Sequence, residues 1–367
     1  MAATASFAQS SVQIDGIVDA GFQAIDYKGT KVNGIAGNGS STSQLNIRGT
    51  EDLGGGLKAD FRVETDWNAV SNNANTGAKK ADGTLANGST FGNGEIRVGL
   101  AGGFGRVDLG AVNYNTLGTF TTGQPFGTAI GSGFRAVTWN DTQGLEASVA
   151  TAASAAGSQV RAENAIKYTT PVFSGFNATL YKSNKQTKAG GTTPANFSTS
   201  LGAYDQVGTQ EIGVNYANGP LAASFSQLKQ DSKSVGSLTS ESTVNTLGAN
   251  YTMGAAKLFG LYQDTKFKSG LLDGVKAQYW ALSGTYTVGA VVLMASYGEL
   301  KDKSANSDGE KSKLTALGAD YNLSKRTALY ARYETINDKM GIVPNPSTLA
   351  ATGDKRTRTA FGLRHAF

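Results

Sequence analysis

The chain has 367 residues, with 33 Lys+Arg against 28 Asp+Glu and a formal charge of +5. It holds no cysteine and one histidine, His365, which excludes disulfides, thiolate metal sites, a cysteine nucleophile and any multi-histidine metal centre, and leaves a serine–histidine triad a single candidate imidazole. Hydrophobic residues make up 39% and glycine supplies 48 positions; this is a folding composition, yet no run approaches the ~18 apolar residues of a membrane-spanning helix. That absence excludes a helical membrane protein only.

Residues 1–9 are small and end near Ser6-Phe7-Ala8, which reads either as the remnant of a secretory leader or as an ordinary chain terminus. Residues 10–367 then form one domain. From residue 11 onward nearly every ordered segment alternates apolar and polar residues, the period of a strand with one apolar face. Taken in order, strands are expected at 12–24, 43–51, 57–67, 95–102, 104–113, 160–170, 176–184, 210–217, 221–230, 242–253, 256–267, 276–287, 290–300, 313–322, 327–337 and 356–367, sixteen in all.

The fifteen connections alternate in length. Seven are short, at 52–56, 102–103, 171–175, 218–220, 254–255, 288–289 and 323–326, most with Gly, Asn, Pro or Ser turn chemistry. Eight are longer and polar, at 26–42, 68–94, 114–159, 185–209, 231–241, 268–275, 301–312 and 338–355. Tight turns at one end and long loops at the other are what a membrane-spanning β-barrel has, whereas a soluble sandwich or propeller has no reason to sort loop length by side.

Parity separates two faces. In 57–67 the row Leu57, Ala59, Phe61, Val63, Thr65, Trp67 opposes the fully charged row Lys58, Asp60, Arg62, Glu64, Asp66. The same rule sets Val98 and Leu100 against Arg97, and Val107 and Leu109 against Arg106 and Asp108. Sixteen strands enclose a lumen too wide for wall side chains to fill, so the charged rows are expected to face water inside and the apolar rows lipid outside. Trp67, Tyr168, Tyr181, Tyr216, Tyr251, Trp280, Tyr286, Tyr321 and Tyr333 would then form interfacial girdles. The last strand places Phe361, Leu363, His365 and Phe367 on one row, making His365 a lipid-interface residue and no catalyst.

The segments SQLNIRGTEDLGGGLKA (43–59), VGLAGGFG (98–105), RAENAIKYTTP (161–171) with FSGF (173–176), LSKRTALY (323–330) and GLRHAF (362–367) carry a resemblance to the trimeric general porins of Gram-negative bacteria, particularly the betaproteobacterial branch with anion-selective members. They run the length of the chain in order. The resemblance implies an outer-membrane, sixteen-stranded antiparallel barrel with short periplasmic turns and long extracellular loops, three barrels to a trimer, and the third long loop, 114–159, folded into the lumen as a constriction.

In that family barrel-wall arginines face carboxylates on the third loop across the constriction. Carried over by position, Arg97 and Arg161 match wall arginines, while Gln44 stands where arginine is usual and Arg48 is the candidate replacement for its charge. Arg62, Arg106 and Lys167 are further inward cations. The inward acids Asp60, Glu64, Glu95, Asp108 and Glu163 partly offset them. The family's Pro-Glu-Phe-Gly pattern appears as Gln124-Pro-Phe-Gly127 without its glutamate, and the loop's acids, Asp141 and Glu146, stand against Arg135. The carboxylate side of the field is therefore expected to be weak. An Ala-rich stretch, 147–157, could add a short helix in this loop.

The expected function is passive diffusion of small hydrophilic solutes and ions, with a weak to moderate anion preference and no enzymatic activity, cofactor or metal. Expected partners are two further copies of the chain, outer-membrane lipid and lipopolysaccharide, and small anionic or polar solutes, with no nucleic acid. A channel preferring small organic acids, or an adhesin or phage receptor on the same scaffold, shares these features.

Overall fold

The structure, a computed structural model, describes residues 10–27, 29–67, 69–70, 91–134, 160–183, 204–234, 239–268, 273–305, 309–339 and 355–367. Its strands are β1 (Ser11–Tyr27), β2 (Thr30–Gly37), β3 (Gln44–Gly54), β4 (Leu57–Asp66), β5 (Ile96–Gly102), β6 (Gly105–Asn113), β7 (Arg161–Thr169), β8 (Phe176–Ser183), β9 (Tyr204–Asn218) and β10 (Leu221–Ser234). They continue with β11 (Thr239–Met253), β12 (Ala256–Lys268), β13 (Lys276–Val288), β14 (Val291–Asp302), β15 (Lys311–Asn322), β16 (Thr327–Asp338) and β17 (Lys355–Ala366); one helix, α1 (Asn115–Thr122), follows β6.

Every neighbouring pair from β3 to β17 is antiparallel, and β1 closes the sheet by pairing β17 on one side, from Ile17 opposite Ala366 to Tyr27 opposite Arg356, and β3 on the other. Gly16 and Phe367 exchange backbone hydrogen bonds at 3.2 and 3.1 Å, so the first part of β1 and the end of β17 meet at the short-turn end. All sixteen expected strands are present. The turn between β3 and β4 needs glycine: Gly54, Gly55 and Gly56 sit at φ +82°, +61° and +81°, where an L side chain is strained.

β2 departs from the expectation, since it falls inside the first long connection. It pairs with the upper half of β1, Thr30 opposite Tyr27 through Gly37 opposite Ala20, above the point where β3 leaves that edge. The barrel thus has sixteen strands around its wall and β2 as a flap continuing the β3 side of β1.

Outward apolar rows lie where parity puts them: Val98 and Leu100, Ile212 and Val214, Leu282 and Tyr286, and Phe361, Leu363 and Phe367 are all exposed on the outside. Toward the long-loop end of β12–β15 the polarity inverts. Beyond Tyr262 the outward row of β12 reads Asp264, Lys266, Lys268, while Leu261 and Phe267 are buried on the inner side. At 12 to 13 residues these strands exceed the ~9–11 that cross a bilayer, so their upper ends stand in water and their inner faces can be dry.

The expectation of a wholly aqueous lumen is corrected here. A continuous apolar core lies inside the barrel, joining Tyr114, Phe120, Phe126 and Phe134 of the third loop to Leu228, Val244, Leu261, Tyr279, Leu300, Leu314 and Ile336 of the β10–β16 wall. A wide ring leaves room for chain as well as water, and the third loop fills the apolar side. A helix, Asn115–Thr122, opens the third loop, and the Ala-rich stretch 147–157 is outside the described residues. Tyr181 is corrected too: it is buried, edge-on to Tyr114 with ring centroids 4.8 Å apart, and its hydroxyl accepts from Ala162 N and reaches Val112 O at 3.1 Å. Trp67 borders the lumen and donates its indole N–H to Ile17 O at 3.4 Å. The other seven girdle aromatics keep outward positions.

Candidate functional site

The inner wall opposite the third loop is the charged one. Register places Arg62 across from Arg97 and Gly99 between Asp60 and Asp108. Like charges set opposite each other would repel, and acids one step along each strand relieve them. Arg62 donates to Glu95 at 2.9 Å, to Glu64, and to the Asn46 side chain at 2.9 and 3.1 Å. Arg97 Nη1 lies 2.5 Å from Asp60 and 3.0 Å from Asp108. Arg106 binds the same two acids at 2.6 to 2.8 Å. The Arg106 guanidinium and the Asp108 carboxylate lie over the bare backbone of Gly99, in space that a Cβ there would take.

Arg161 donates to the Asn113 side chain at 3.0 Å and to Asn93 O at 2.9 Å, with Glu64 3.8 Å away. Lys167 Nζ reaches Asn113 O at 3.0 Å. Glu163 falls in a β-bulge, beside Asn164 at φ +52°, and joins none of these pairs. Arg48 does not occupy the place Gln44 leaves open: it lies four residues toward the short-turn end, clamped to Asp15 at 2.5 Å, while Gln44 itself borders the central cavity. Arg135, Asp141 and Glu146 lie outside the described residues.

That cavity, of about 920 Å³, lies inside the barrel between the wall and two loops. One side is the wall, with Gln44, Arg62, Glu64, Asp66, Asn93, Asn113 and Arg161. Another is the third loop, contributing Leu117, Thr128 and Phe134, and a third is Ile35–Asn38 and Thr42 of the first loop. From Tyr114 to Phe134 the third loop carries no charged residue, so among the described residues the charges that line the cavity belong to the barrel wall.

Two buried carboxylates that sequence reading did not single out hold the third loop. Glu211 of β9 accepts the backbone N–H groups of Asn115 and Thr116, both at 2.6 Å, and the Thr116 hydroxyl at 2.7 Å. It supplies from the wall the N-terminal cap that Tyr114 cannot give α1. Burial pushes the Tyr114 phenol above its usual value, keeping it a neutral partner for Thr209 and Gln230. Further along the loop, Glu334 of β16 accepts Gly131 N at 2.9 Å while paired with Arg356 and Arg358. The one available signal was their inward parity within expected strands; no local motif ties them to a loop some 95 or 200 residues away.

A closed sixteen-stranded barrel with a loop-narrowed, arginine-lined passage is a diffusion channel of the outer-membrane type. The sequence model of the Gram-negative porin family matches residues 1–341. The chain is 36% identical to outer membrane porin protein 32 of Delftia acidovorans, over all of this chain and 97% of that one. Its fold matches an anion-selective porin from Comamonas acidovorans with a TM-score of 0.76 at 34% identity, covering 98% and 100% of the two chains. A trimer form of OmpT from Vibrio cholerae, 14% identical, shares the fold at a TM-score of 0.66 over 98% and 99%. The protein belongs to the Gram-negative porin family and is a multi-pass β-barrel of the outer membrane, so its short turns face the periplasm and its long loops the cell exterior.

Proposed function

We propose that this porin passes small hydrophilic solutes as a homotrimer with a weak anion preference, set mainly by Arg62 and Arg161, with Arg97 and Arg106 behind them. The observation that supports this is which partner faces water. Acids and arginines nearly balance on the wall, but Arg62 and Arg161 side chains are 24% and 21% exposed, against 7% for Glu64 and 9% for Glu95. A permeating ion meets guanidinium first, and guanidinium stays charged and offers five donors to an anion.

The test is the zero-current potential across a planar bilayer separating two KCl concentrations. An anion-selective sign that shrinks as the Debye length falls from ~10 Å at 0.1 M to ~3 Å at 1 M supports the reading. A cation-selective sign overturns it. The apolar residues Leu117, Phe134 and Val160 around the same cavity favour a second reading, a preference for small organic acids, which saturable current block by one such acid would support. Lipopolysaccharide and membrane lipid as partners rest on the outer-membrane location.

A further inference from the structure

The third loop is not alone in the lumen. Residues 38–43 of the first loop fold inward against β1, β16 and β17, and their anchor is Asp19 of β1, which is completely buried. Its carboxylate accepts three successive backbone N–H groups, Gly39 at 3.2 Å, Ser40 at 2.8 Å and Ser41 at 2.7 Å, and the Tyr330 hydroxyl at 2.7 Å. Its own N–H donates to the Ser43 hydroxyl at 3.0 Å. Asn38, in the left-handed region at φ +63°, closes the turn by accepting Ser43 N at 2.8 Å. A buried carboxylate with this many donors is satisfied only if the loop stays in place.

The first and third loops meet on the same two wall residues. Tyr330 packs with Ile130 of the third loop and occupies a slot left by glycines: a Cβ at Gly21 or Gly362 would come within 2.8 or 2.5 Å of its hydroxyl, and one at Gly39 would overlap it. Arg332 donates to the Ser40 hydroxyl at 2.9 Å and lies 5.9 Å from the ring of Phe126. The far side of the first loop, at Thr42, borders the cavity across from the third loop.

We propose that Asp19 is a specificity-determining positioning residue: by clamping residues 39–41 it holds the first loop as a second jaw of the constriction, so that the width and ion preference of the passage depend on both loops. Asp19 touches no permeating solute and acts through the loop it holds.

The natural chain has no cysteine, so Thr42→Cys supplies a single thiol for a negatively charged methanethiosulfonate probe during single-channel recording. The expected result is a stepwise loss of current on modification, with the zero-current potential moving toward cations. In Asp19→Asn/Thr42→Cys, whose amide nitrogen no longer accepts N–H groups, the unmodified channel should conduct more and lose less current when modified. Tyr330→Phe, which removes one donor and no charge, should move conductance the same way by less. Modification of Thr42→Cys without effect on current or potential overturns the proposal, even if Asp19→Asn does not refold. Unchanged conductance and potential in a folded Asp19→Asn channel also overturn it.

Discussion

The carboxylate of Glu334 accepts the backbone N–H of Gly131 at 2.9 Å, joining two residues 203 positions apart in the chain. The same carboxylate holds Arg356 and Arg358 at 3.2 and 2.8 Å. One buried group therefore anchors the third loop at Gly131 and keeps two adjacent guanidiniums from repelling.

Glu334→Ala removes all three contacts. Breaking a buried ion pair leaves a charge without compensation, and because Arg358 retains a quarter of its exposure the loss should sit at the low end of the range, about 3 kcal/mol. The denaturation midpoint of the detergent-solubilised protein should fall, and open-channel current should become noisier as the loop loses its anchor. Glu334→Gln, which keeps an acceptor, should lie between. A quiet Ala variant of natural stability would show that the apolar core alone seats the loop.

Glu211 does for the start of α1 what Glu334 does for the loop at Gly131. Glu211→Ala should cost about 1–2 kcal/mol, the range for losing a helix cap, with the added burial of two orphaned N–H groups pushing it upward. Glu211→Gln can still accept but also brings donors that Asn115 N and Thr116 N cannot use, so it should be intermediate. Thermal unfolding followed by circular dichroism separates the three chains; equal midpoints would remove Glu211 from this role.

Gly248 marks the closest approach of α1 to the wall, since a Cβ there would overlap the Thr119 carbonyl oxygen and come within 2.9 Å of Gly123 N. Gly248→Ala should destabilise by about 1–3 kcal/mol through overpacking, or displace α1 into the passage. Displacement reads as lower single-channel conductance. An Ala variant matching the natural protein in both stability and conductance would mean that α1 does not rest on β11.

Charge removal at the wall separates selectivity from stability. Arg161→Gln takes away a guanidinium whose hydrogen bonds go to Asn113 and Asn93, so the zero-current potential at 0.1 M salt should move toward cations while stability changes by less than about 1 kcal/mol. Arg62→Gln should move the potential the same way and also destabilise, because Glu64 and Glu95 lose their nearest cation. At 1 M salt both differences should fade. A potential that does not move in either variant would place the filter elsewhere in the lumen.

The sequence by itself determined the sixteen wall strands, the two lengths of connection, the outward apolar rows and the charged row of 57–67. Those properties are written in a two-residue period and in turn chemistry, which neighbours along the chain control. It also pointed to the inward arginines Arg62, Arg97, Arg106 and Arg161, since parity alone sends them inside. Three things were decided by tertiary structure. Asp15, on the neighbouring strand, decided where the Arg48 guanidinium goes. Tyr181 turned inward because Tyr114 and the backbone of Ala162 offered its ring and hydroxyl a buried home. The shape of the passage depends on Asp19, Glu211 and Glu334, each a single acid in an ordinary strand whose meaning comes from backbone N–H groups 20, 96 and 203 residues away. Backbone donors carry no residue identity, so no local pattern announces such a clamp; only closure of the barrel brings acid and loop together.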